Sequence, residues 1–344
     1  MKILITGGAG FIGSHLVRFW LERHPEDEVV TLDALTYAGS PERLADVKNR
    51  PGYRFIKGDV CDAEAVDAAL AGCRTVIHCA AETHVDRSII NAAPFLRTNV
   101  EGTYTVLRAA LAHRVERFLH VSTDEVYGPV PEGAVDEGAP LSPRSPYAAS
   151  KAAGDLLAQA FRQTYGLPLI VIRPTNVFGP WQLPEKFIPL CAANAQDGVP
   201  IPVYGDGQQR RSWLFVTDLS EAFETVLARG LVGDVYNVGG MAEQPNLETA
   251  RRIVSLMGGS PELIRFVEDR PGHDRRYALN DAKLRLLGWR PTTPFEEGLA
   301  ETVAWYRQHH DWWRPLAQKL REDSDHWLNR PARPSTRQPS GALR

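Results

Sequence analysis

The sequence has few cysteines, no long apolar segment and no large excess of one charge, and each shortage excludes a class of protein. Only four of its 344 residues are cysteine, without CxxC or Cys/His spacing, so neither a disulfide framework nor a metal site is indicated. No apolar run reaches the about 18 residues of a membrane-spanning helix, and the first residues lack the pattern of a secretion signal. A net charge of −3 gives no basic surface for nucleic acid. We therefore expect a cytoplasmic enzyme.

Short apolar runs alternate with helical patterns through the first half of the chain. The runs include KILIT, EVVTLD, YRFIK, RTVIHCA and RFLHVS. This alternation is typical of βαβ units and predicts an α/β protein with a Rossmann-type, doubly wound parallel sheet covered by helices on both faces. After Pro174 prolines and glycines become frequent, which predicts a smaller, mixed α/β lobe.

The same patterns predict how the chain is divided. The first lobe is expected to cover residues 1–175 and to be rejoined by about residues 213–239, where RSWLFVTD and DVYNVGG have the composition of strands. The second lobe would then comprise residues 176–212 and 240–328. The polar, proline-rich residues 329–344 are predicted to form a disordered tail.

A glycine-rich turn follows the first predicted strand. In GGAGFIG, Gly7, Gly10 and Gly13 have GxxGxxG spacing between a strand and a helix. Glycine allows the backbone to approach a pyrophosphate, which the helix N-terminus also attracts. About twenty residues later, Asp33 ends a second strand, where a carboxylate binds ribose hydroxyls and disfavours a 2′-phosphate. These features predict an NAD site; the alternative is an ordinary loop with a capping aspartate.

The segment SPYAASK places Tyr147 and Lys151 one turn apart on a predicted helix. A lysine ammonium, together with a positively charged nicotinamide ring, favours the tyrosine phenolate, which can then accept a proton. The YxxxK spacing also occurs by chance, with a packed tyrosine and a solvated lysine. Combined with the glycine turn and Asp33, it predicts a catalytic pair.

The segment VSTDEVYG follows an apolar strand with hydroxyl and carboxyl groups. Ser122 and Thr123 come first, and Asp124 and Glu125 follow directly. Neighbouring carboxylates raise each other's affinity for a proton, so one can be protonated while the other is ionised. This arrangement suits a reaction that needs an acid and a base side by side; the alternative is a solvated strand end.

The motifs resemble those of the extended short-chain dehydrogenases/reductases. The resemblance is carried by GGAGFIG, HCAAETHVDRS, TNVEGT, VSTDEVYG and SPYAASK, in this order. Within that superfamily, the chain is most similar to the dTDP-D-glucose 4,6-dehydratase family. LDALTYAGS, GPWQLPEKFIPL, VYGDGQQRRSW, YNVGG and EDRPGHDRRYALN extend the resemblance over nearly all of residues 1–310.

The resemblance implies dehydration of a nucleoside-diphosphate glucose, with dTDP-glucose as the expected substrate and NAD as the cofactor. The steps would be C4 oxidation, elimination of water across C5 and C6, and return of the hydride to C6, giving a 4-keto-6-deoxy sugar. It implies that Tyr147 and Lys151 act in the oxidation, that Thr123 binds the oxidised oxygen, that Glu125 is the base and that Asp124 is the acid.

The motifs and the resemblance together give two sets of predicted contacts. The cofactor contacts are Gly7, Gly10, Phe11, Ile12, Gly13, Asp33, Leu35, Thr36, Asp59, Val60, Ala80, Ala81, Thr83, Thr98, Tyr147 and Lys151. The nucleotide-sugar contacts are Thr83, Thr123, Asn176, Lys186, Tyr204, Arg211, Asn246, Arg270 and His273. The chain departs from the family pattern at Val177, Gln182 and Ser212, which bears on the nucleotide and the sugar substituents rather than on the acid–base set.

Two alternative functions stay open at this point. A nucleotide-sugar 4-epimerase or decarboxylase of the same superfamily needs C4 oxidation but no acid for the C6 hydroxyl, which Asp124 would supply. A non-catalytic NAD-binding sensor or scaffold needs no Tyr147–Lys151 pair.

The resemblance also implies a homodimer formed by the helices predicted at about residues 94–112 and 147–165. Both patterns carry more apolar residues than one sheet face needs: Val106, Leu107, Ala110, Leu111, Leu156, Leu157, Ala160 and Phe161. The alternative is that these side chains pack within one chain.

Overall fold

The computed structural model describes residues 1–323, so the predicted disordered tail, residues 329–344, lies outside the described residues. The strands, in chain order, are β1 (Lys2–Thr6), β2 (Glu28–Asp33), β3 (Tyr53–Lys57), β4 (Thr75–His78), β5 (Arg117–Val121), β6 (Leu169–Pro174), β7 (Asn176–Phe178), β8 (Ile201–Tyr204), β9 (Arg210–Phe215), β10 (Val235–Val238), β11 (Ala242–Pro245) and β12 (Ile264–Val267).

The helices alternate with these strands in the first half and predominate at the end of the described chain. They are α1 (Phe11–Arg23), α2 (Ala63–Leu70), α3 (Val85–Ile90), α4 (Ala93–Leu96), α5 (Thr103–Ala112), α6 (Pro146–Tyr165), α7 (Phe187–Asp197), α8 (Val216–Arg229), α9 (Asn246–Met257), α10 (Ala282–Leu286), α11 (Phe295–Gln308) and α12 (His310–Asp323). A π-helical segment, Arg97–Gly102, joins α4 to α5. None of the helices described in residues 1–323 is long and apolar enough to cross a membrane.

Seven parallel strands form the main sheet, in the order β3-β2-β1-β4-β5-β6-β10. The connections run outward in both directions from the boundary between β1 and β4, which are paired from Ile3 with Thr75 to Thr6 with His78. Such a reversal opens a crevice at the carboxyl ends of the strands, where dinucleotides bind in doubly wound sheets. The predicted fold class is confirmed.

Helices cover both faces of this sheet because its strands are apolar on both sides. Ile3 and Ile5 of β1 pack in one buried cluster with residues of α1 and α8. Leu4, which points to the opposite face, packs in a second cluster with residues of α2, α5 and α6. A strand that is apolar at successive positions is therefore buried on both faces, as parallel strands usually are.

The second lobe has a core of its own. The strands β7, β9 and β11 form one small sheet, and β8 and β12 form another. Phe178 of β7 lies 5.5 Å, between ring centroids, from both Phe215 of β9 and Phe295 of α11. Small and aliphatic side chains of α7 and α9 pack in the same core. The strand predicted in RSWLFVTD ends at Phe215 and lies in this lobe, whereas α8 and β10 return to the main sheet. The division into domains stays a prediction.

Candidate active site

The glycine-rich turn between β1 and α1 leaves no room for side chains. Gly7 has a φ of +70°, and a Cβ there would lie 2.8 Å from the backbone of Ala80. A Cβ at Gly13 would overlap the carbonyl oxygen of Gly7. Helix α1 begins after Gly10, which has no side chain to bond the first N–H groups of the helix. These N–H groups and the bare turn fit a pyrophosphate.

Asp33, at the end of β2, is held by backbone donors. Its Oδ2 accepts a hydrogen bond of 2.9 Å from the N–H of Ala9, and its Oδ1 accepts one of 2.8 Å from the N–H of Leu35. Burial raises the pKa of Asp33, while these two N–H groups and the charge of Arg43 oppose the rise. The carboxylate is therefore fixed in orientation at the edge of the crevice.

Most of the predicted cofactor contacts line one cleft above the β1–β4 boundary. They are Gly7, Gly10, Phe11, Ile12, Gly13, Asp33, Thr36, Asp59, Val60, Ala80, Ala81, Thr83, Thr98 and Tyr147. Leu35 and Lys151 do not line it. The side chain of Leu35 packs against the hydrophobic core, and its φ of +52° lets the backbone turn beneath Asp33.

The motifs do not predict Arg43, although it also lines this cleft. Its buried guanidinium donates to the carbonyl oxygens of Ala9 at 3.0 Å, of Ala38 at 2.6 Å and of Trp181 at 2.8 Å. It thus ties the glycine turn to the loop after β2 and to the second lobe. No local pattern around this arginine marks it in the sequence.

The hydroxyl and carboxyl groups of VSTDEVYG lie at the carboxyl end of β5. Thr123 Oγ1 donates to Asp124 Oδ1 at 3.2 Å and accepts the N–H of Glu125 at 3.3 Å. Burial and the neighbouring charge of Glu125 raise the pKa of Asp124 to about 7. Burial also raises the pKa of Glu125, but Arg270 and Arg211 oppose it. Near neutral pH, Asp124 is thus the carboxyl that more readily holds a proton.

Tyr147 and Lys151 project from the start of α6, which Ser145 caps through a 3.1 Å bond from the N–H of Ala148. The Nζ of Lys151 donates to the carbonyl oxygen of Val121 at 2.6 Å. Burial raises the pKa of Tyr147, the charge of Glu125 adds to this, and the Thr123 hydroxyl opposes it. The protein alone therefore favours the phenol, and a phenolate needs further positive charge.

The predicted nucleotide-sugar contacts line a second cavity beside the first. They are Thr83, Asn176, Lys186, Tyr204, Arg211, Asn246, Arg270 and His273. Thr123, the remaining predicted contact, lines the cofactor cleft. Four of the predicted residues, Thr83, Glu125, Asn176 and Lys186, line both cavities. Glu185 lines both as well, and sequence reasoning missed it although it directly precedes Lys186.

Cations and buried amides give the second cavity its chemistry. Arg211 donates to the carbonyl oxygen of Asp274 at 3.0 Å and pairs with no carboxylate in residues 1–323. Lys186 donates to the carbonyl oxygen of Thr83 at 2.7 Å. The side-chain oxygens of Asn176 and Asn246 are buried without a hydrogen-bond partner in the described chain. Such a site can bind a polar, anionic ligand.

Two of the three residues that depart from the family pattern form hydrogen bonds with the backbone through their side chains. Gln182 Nε2 donates to the carbonyl oxygen of Val177 at 2.8 Å. Ser212 Oγ accepts the N–H of Gly240 at 3.1 Å. Val177 and Gln182 both line the two cavities, so one apolar side chain and one amide lie where the two ligand regions join.

Known proteins share this architecture and its motifs. The chain is 51% identical over 321 residues to a dTDP-glucose 4,6-dehydratase of Streptomyces niveus, covering 92% of this chain and 96% of that protein. The structure of DesIV, a dTDP-glucose 4,6-dehydratase from Streptomyces venezuelae with NAD and TYD bound, is similar with a TM-score of 0.90 and 48% identity, covering 92% of this chain and 100% of that one.

A structure with a different reaction in its name is also similar. It is a UDP-glucose 4-epimerase of Thermus thermophilus in complex with NAD, with a TM-score of 0.83 and 34% identity, covering 90% of this chain and 100% of that one. The family model described as "NAD dependent epimerase/dehydratase family" matches residues 3–239. The resemblance found in the sequence is confirmed, and the chain belongs to the NAD-dependent epimerase/dehydratase family.

Proposed function

We propose that this chain is an NAD-dependent hydro-lyase that converts a nucleoside-diphosphate glucose, with dTDP-glucose preferred, into the 4-keto-6-deoxy sugar. The observation that carries the proposal is the Asp124–Glu125 pair. Glu125 lies where the two cavities join, and Asp124 beside it has a pKa raised to about 7. An elimination needs one protonated and one ionised carboxyl. Asp124, with its raised pKa, fits the first role, and Glu125, whose rise in pKa two arginines oppose, fits the second.

NAD, when bound in the cleft, supplies an acceptor for the hydride from C4 of the sugar and a donor of the same hydride to C6. Tyr147 takes the proton of the C4 hydroxyl. When the sugar binds, the Thr123 hydroxyl, which donates to Asp124 Oδ1 in the described chain, turns to donate to the same C4 oxygen. Lys151, held against the carbonyl oxygen of Val121, adds positive charge to the site. That charge and the charge of the cofactor ring counter the burial that raises the pKa of Tyr147.

The elimination follows from the acidity that a C4 ketone gives to the proton on C5. Glu125 removes that proton, and Asp124 donates its own proton to the oxygen leaving C6, so that water is released. When the hydride is returned to C6, Glu125 gives the proton it removed back to C5, so the base is ionised again for the next turnover.

The diphosphate of the substrate is bound in the second cavity. Arg211 and Lys186 donate only to backbone carbonyls in the described chain, so their charge is available to an anion. Arg270 is paired with Asp86 at 3.0 Å and has further N–H groups to donate. A single methyl group separates thymidine from uridine, worth about 1–3 kcal/mol in an apolar pocket, so we expect slower turnover of UDP-glucose.

Isotope transfer distinguishes this reaction from its alternatives. With dTDP-glucose deuterated at C4, the product should carry the label at C6 and absorb in the ultraviolet after alkali treatment. An epimerase returns the label to C4, a decarboxylase finds no carboxylate on glucose and forms no labelled C6 product, and a scaffold changes nothing. Tyr147→Phe is the matched control and should abolish transfer. A product without label at C6 would exclude the dehydration.

We also propose a homodimer in the cytoplasm. The structure packs six of the apolar residues named above within the chain: Val106, Leu107, Ala110 and Phe161 are buried, and Leu111 and Leu157 are partly buried against the same cluster. The support comes instead from side chains on the outer surfaces of α4 to α6 that stay exposed: Leu96, Tyr104, Leu156 and Tyr165. Exposed apolar side chains on adjoining helices are typical of a subunit interface.

Light scattering tests the dimer. The parent should have twice the chain mass at micromolar concentration, and Leu156→Glu should shift it towards the monomer because a charge would be buried in the interface. Leu286→Glu, which alters an exposed leucine of the separate helix α10, is the control and should leave the mass unchanged. A monomeric parent would contradict the interface.

A further inference from the structure

Thr175 lies between the two sheets, at the single residue that separates β6 from β7. It is buried, with 4% of its surface exposed. Its N–H donates to the carbonyl oxygen of Val238 in β10 at 3.0 Å. Neither the sequence motifs nor the proposed mechanism gives its side chain a role, yet its hydroxyl touches the acid of that mechanism.

The hydroxyl of Thr175 has two oxygen neighbours and only one proton. Oγ1 lies 3.0 Å from Asp124 Oδ2 and 3.0 Å from the carbonyl oxygen of Ser212. A carbonyl oxygen only accepts. If Asp124 were ionised, both neighbours would be acceptors, and one close oxygen–oxygen contact would lack a full hydrogen bond. If Asp124 carries a proton on Oδ2, it donates to Thr175, Thr175 donates to Ser212, and both contacts are satisfied.

The other carboxyl oxygen of Asp124 is already an acceptor. Thr123 Oγ1 accepts the N–H of Glu125 at 3.3 Å, so its own proton is free for Asp124 Oδ1, 3.2 Å away. A proton on Oδ1 would oppose this bond. The hydrogen-bond inventory therefore assigns the proton of Asp124 to Oδ2, facing Thr175.

We propose that Thr175 is a positioning residue that holds Asp124 in its protonated form before the elimination, with the proton on Oδ2. This inference rests on the proposed function, because only a general acid must arrive protonated. In the elimination the O–H bond of Asp124 breaks, the proton joins the oxygen leaving C6, and Asp124 becomes a carboxylate. Before the next cycle Asp124 takes up a proton from solvent, which balances the proton that Tyr147 took from the C4 hydroxyl and then releases, and Thr175 again accepts a hydrogen bond from Asp124.

The charged and titratable groups around Asp124 agree with this geometry. Burial is the largest influence on its pKa, which is raised to about 7, and Glu125 adds to the rise. Arg211, from β9, opposes the rise, and a Thr175 hydroxyl that donated to the ionised carboxylate would oppose it too. The contact of this hydroxyl with the Ser212 carbonyl oxygen favours the opposite arrangement, in which Thr175 accepts from Asp124. Tyr147 from α6 and Tyr277 both have a pKa raised by burial and are neutral. One negative and one positive charge therefore face Asp124, and the Thr175 hydroxyl is placed to decide the balance.

The sign of a pH shift tests the proposal. The carboxyl infrared band of Asp124 is assigned in the resting enzyme by subtracting the spectrum of Asp124→Asn, and its loss is followed as the pH is raised. In Thr175→Val the midpoint should fall by about 0.5–1 pH unit, the equivalent of one hydrogen bond to the protonated form. Thr175→Ser keeps the hydroxyl and should keep the parent midpoint.

A midpoint that is unchanged or raised in Thr175→Val overturns the proposal, since a rise would mean that Thr175 donates to the ionised form. The alkaline limb of the kcat profile with dTDP-glucose should also move to lower pH in Thr175→Val. Lower turnover without such a shift would show a merely structural role for Thr175 and would overturn the proposal. If Thr175→Val does not fold, the parent alone decides: absence of the Asp124 band at pH 6 contradicts the proposal. The infrared titration needs no substrate, so failure of the proposed function is seen separately.

Discussion

The cofactor cleft and the substrate cavity adjoin, but different kinds of protein groups shape them. The cleft is formed by backbone, at a turn where Gly7 and Gly13 leave no space for a Cβ. The cavity is formed by long charged side chains, such as Arg211 and Arg270, that come from distant parts of the chain. Ligand binding in the cleft should therefore be sensitive to added side-chain volume, whereas ligand binding in the cavity should be sensitive to the loss of a charged side chain.

The two regions meet at the carboxyl end of β5, where Glu125 lines both. Burial raises the pKa of this glutamate, and Arg270 and Arg211 from the substrate side oppose the rise. Two arginines of the substrate cavity thus help to keep Glu125, the proposed base, in its ionised form. Substitutions in the two regions should have separable effects everywhere except at this junction.

The largest effect is expected at the junction itself. Glu125→Gln keeps the shape of the side chain but cannot accept the C5 proton, so turnover should fall by about 100- to 10,000-fold. NAD affinity should be unchanged, and reduced cofactor should accumulate on the enzyme, because C4 oxidation still occurs. Absorbance at the nicotinamide band after substrate addition measures this.

Glu116→Gln is the matched control for that experiment. Glu116 is an exposed glutamate that pairs with Arg74. It directly precedes β5, at the end of the strand opposite the site, and the variant should behave as the parent does. Unchanged turnover in Glu125→Gln would remove the residue from the mechanism.

The next effect separates the cleft from the cavity by volume. In Gly13→Ala the new methyl group meets the carbonyl oxygen of Gly7, and overpacking of this kind costs about 3 kcal/mol. NAD affinity should fall by about 100-fold, while affinity for dTDP should change little. Calorimetry with each ligand measures both constants. Gly138→Ala, where a Cβ has only an ordinary contact at 3.4 Å, is the control; equal losses for both ligands would show that the regions are not separate.

The reciprocal effect separates them by charge. Arg270→Ala removes a guanidinium that lines only the substrate cavity, so dTDP affinity should fall by about 10- to 30-fold, the value of one charge-assisted bond. NAD affinity should stay the same. Arg275→Ala removes a nearby arginine that is exposed and paired with Asp206, and it should change neither constant. A large loss of NAD affinity in Arg270→Ala would contradict the division.

The difference between a cleft shaped by local backbone and a cavity lined by distant side chains also explains how much the sequence could predict. The β1–α1 turn, Asp33 and the Tyr147–Lys151 pair are local patterns whose spacing reflects one turn or one helix face, and they could be read directly. The arginines of the substrate cavity carry no local pattern, so they could be predicted only through the resemblance to a family. Thr175 was missed because its partners, Asp124 and Ser212, are brought to it by tertiary packing.

The protonation of the site illustrates the same limit. Sequence spacing predicts that Asp124 and Glu125 influence each other, but not which one holds the proton. That depends on burial, on the hydroxyl beside Asp124 and on the two arginines that oppose the rise in the pKa of Glu125. Each of these contributions comes from residues far apart in the chain, so none can be read from the motif.

The smallest effect is expected where the two regions are tied together. Arg87 lies with its guanidinium 4.3 Å from the ring centroid of Tyr37, in the loop after β2, and its Nε lies 3.2 Å from Glu185 Oε2 in the second lobe. Tyr37 directly follows Thr36, which lines the cofactor cleft, and Glu185 lines both cavities, so the contact joins the loop beside the cleft to the second lobe. Arg87 is partly exposed, and such pairs are worth about 0.2–1 kcal/mol. Arg87→Ala should therefore speed NAD dissociation by only about 2- to 5-fold, measured by stopped-flow displacement, with the rate of the chemical step unchanged. Arg74→Ala, which breaks an exposed ion pair away from the cleft, is the control and should leave the rate of NAD dissociation unchanged. If Arg87→Ala also releases NAD at the parent's rate, the two lobes retain the cofactor without this contact.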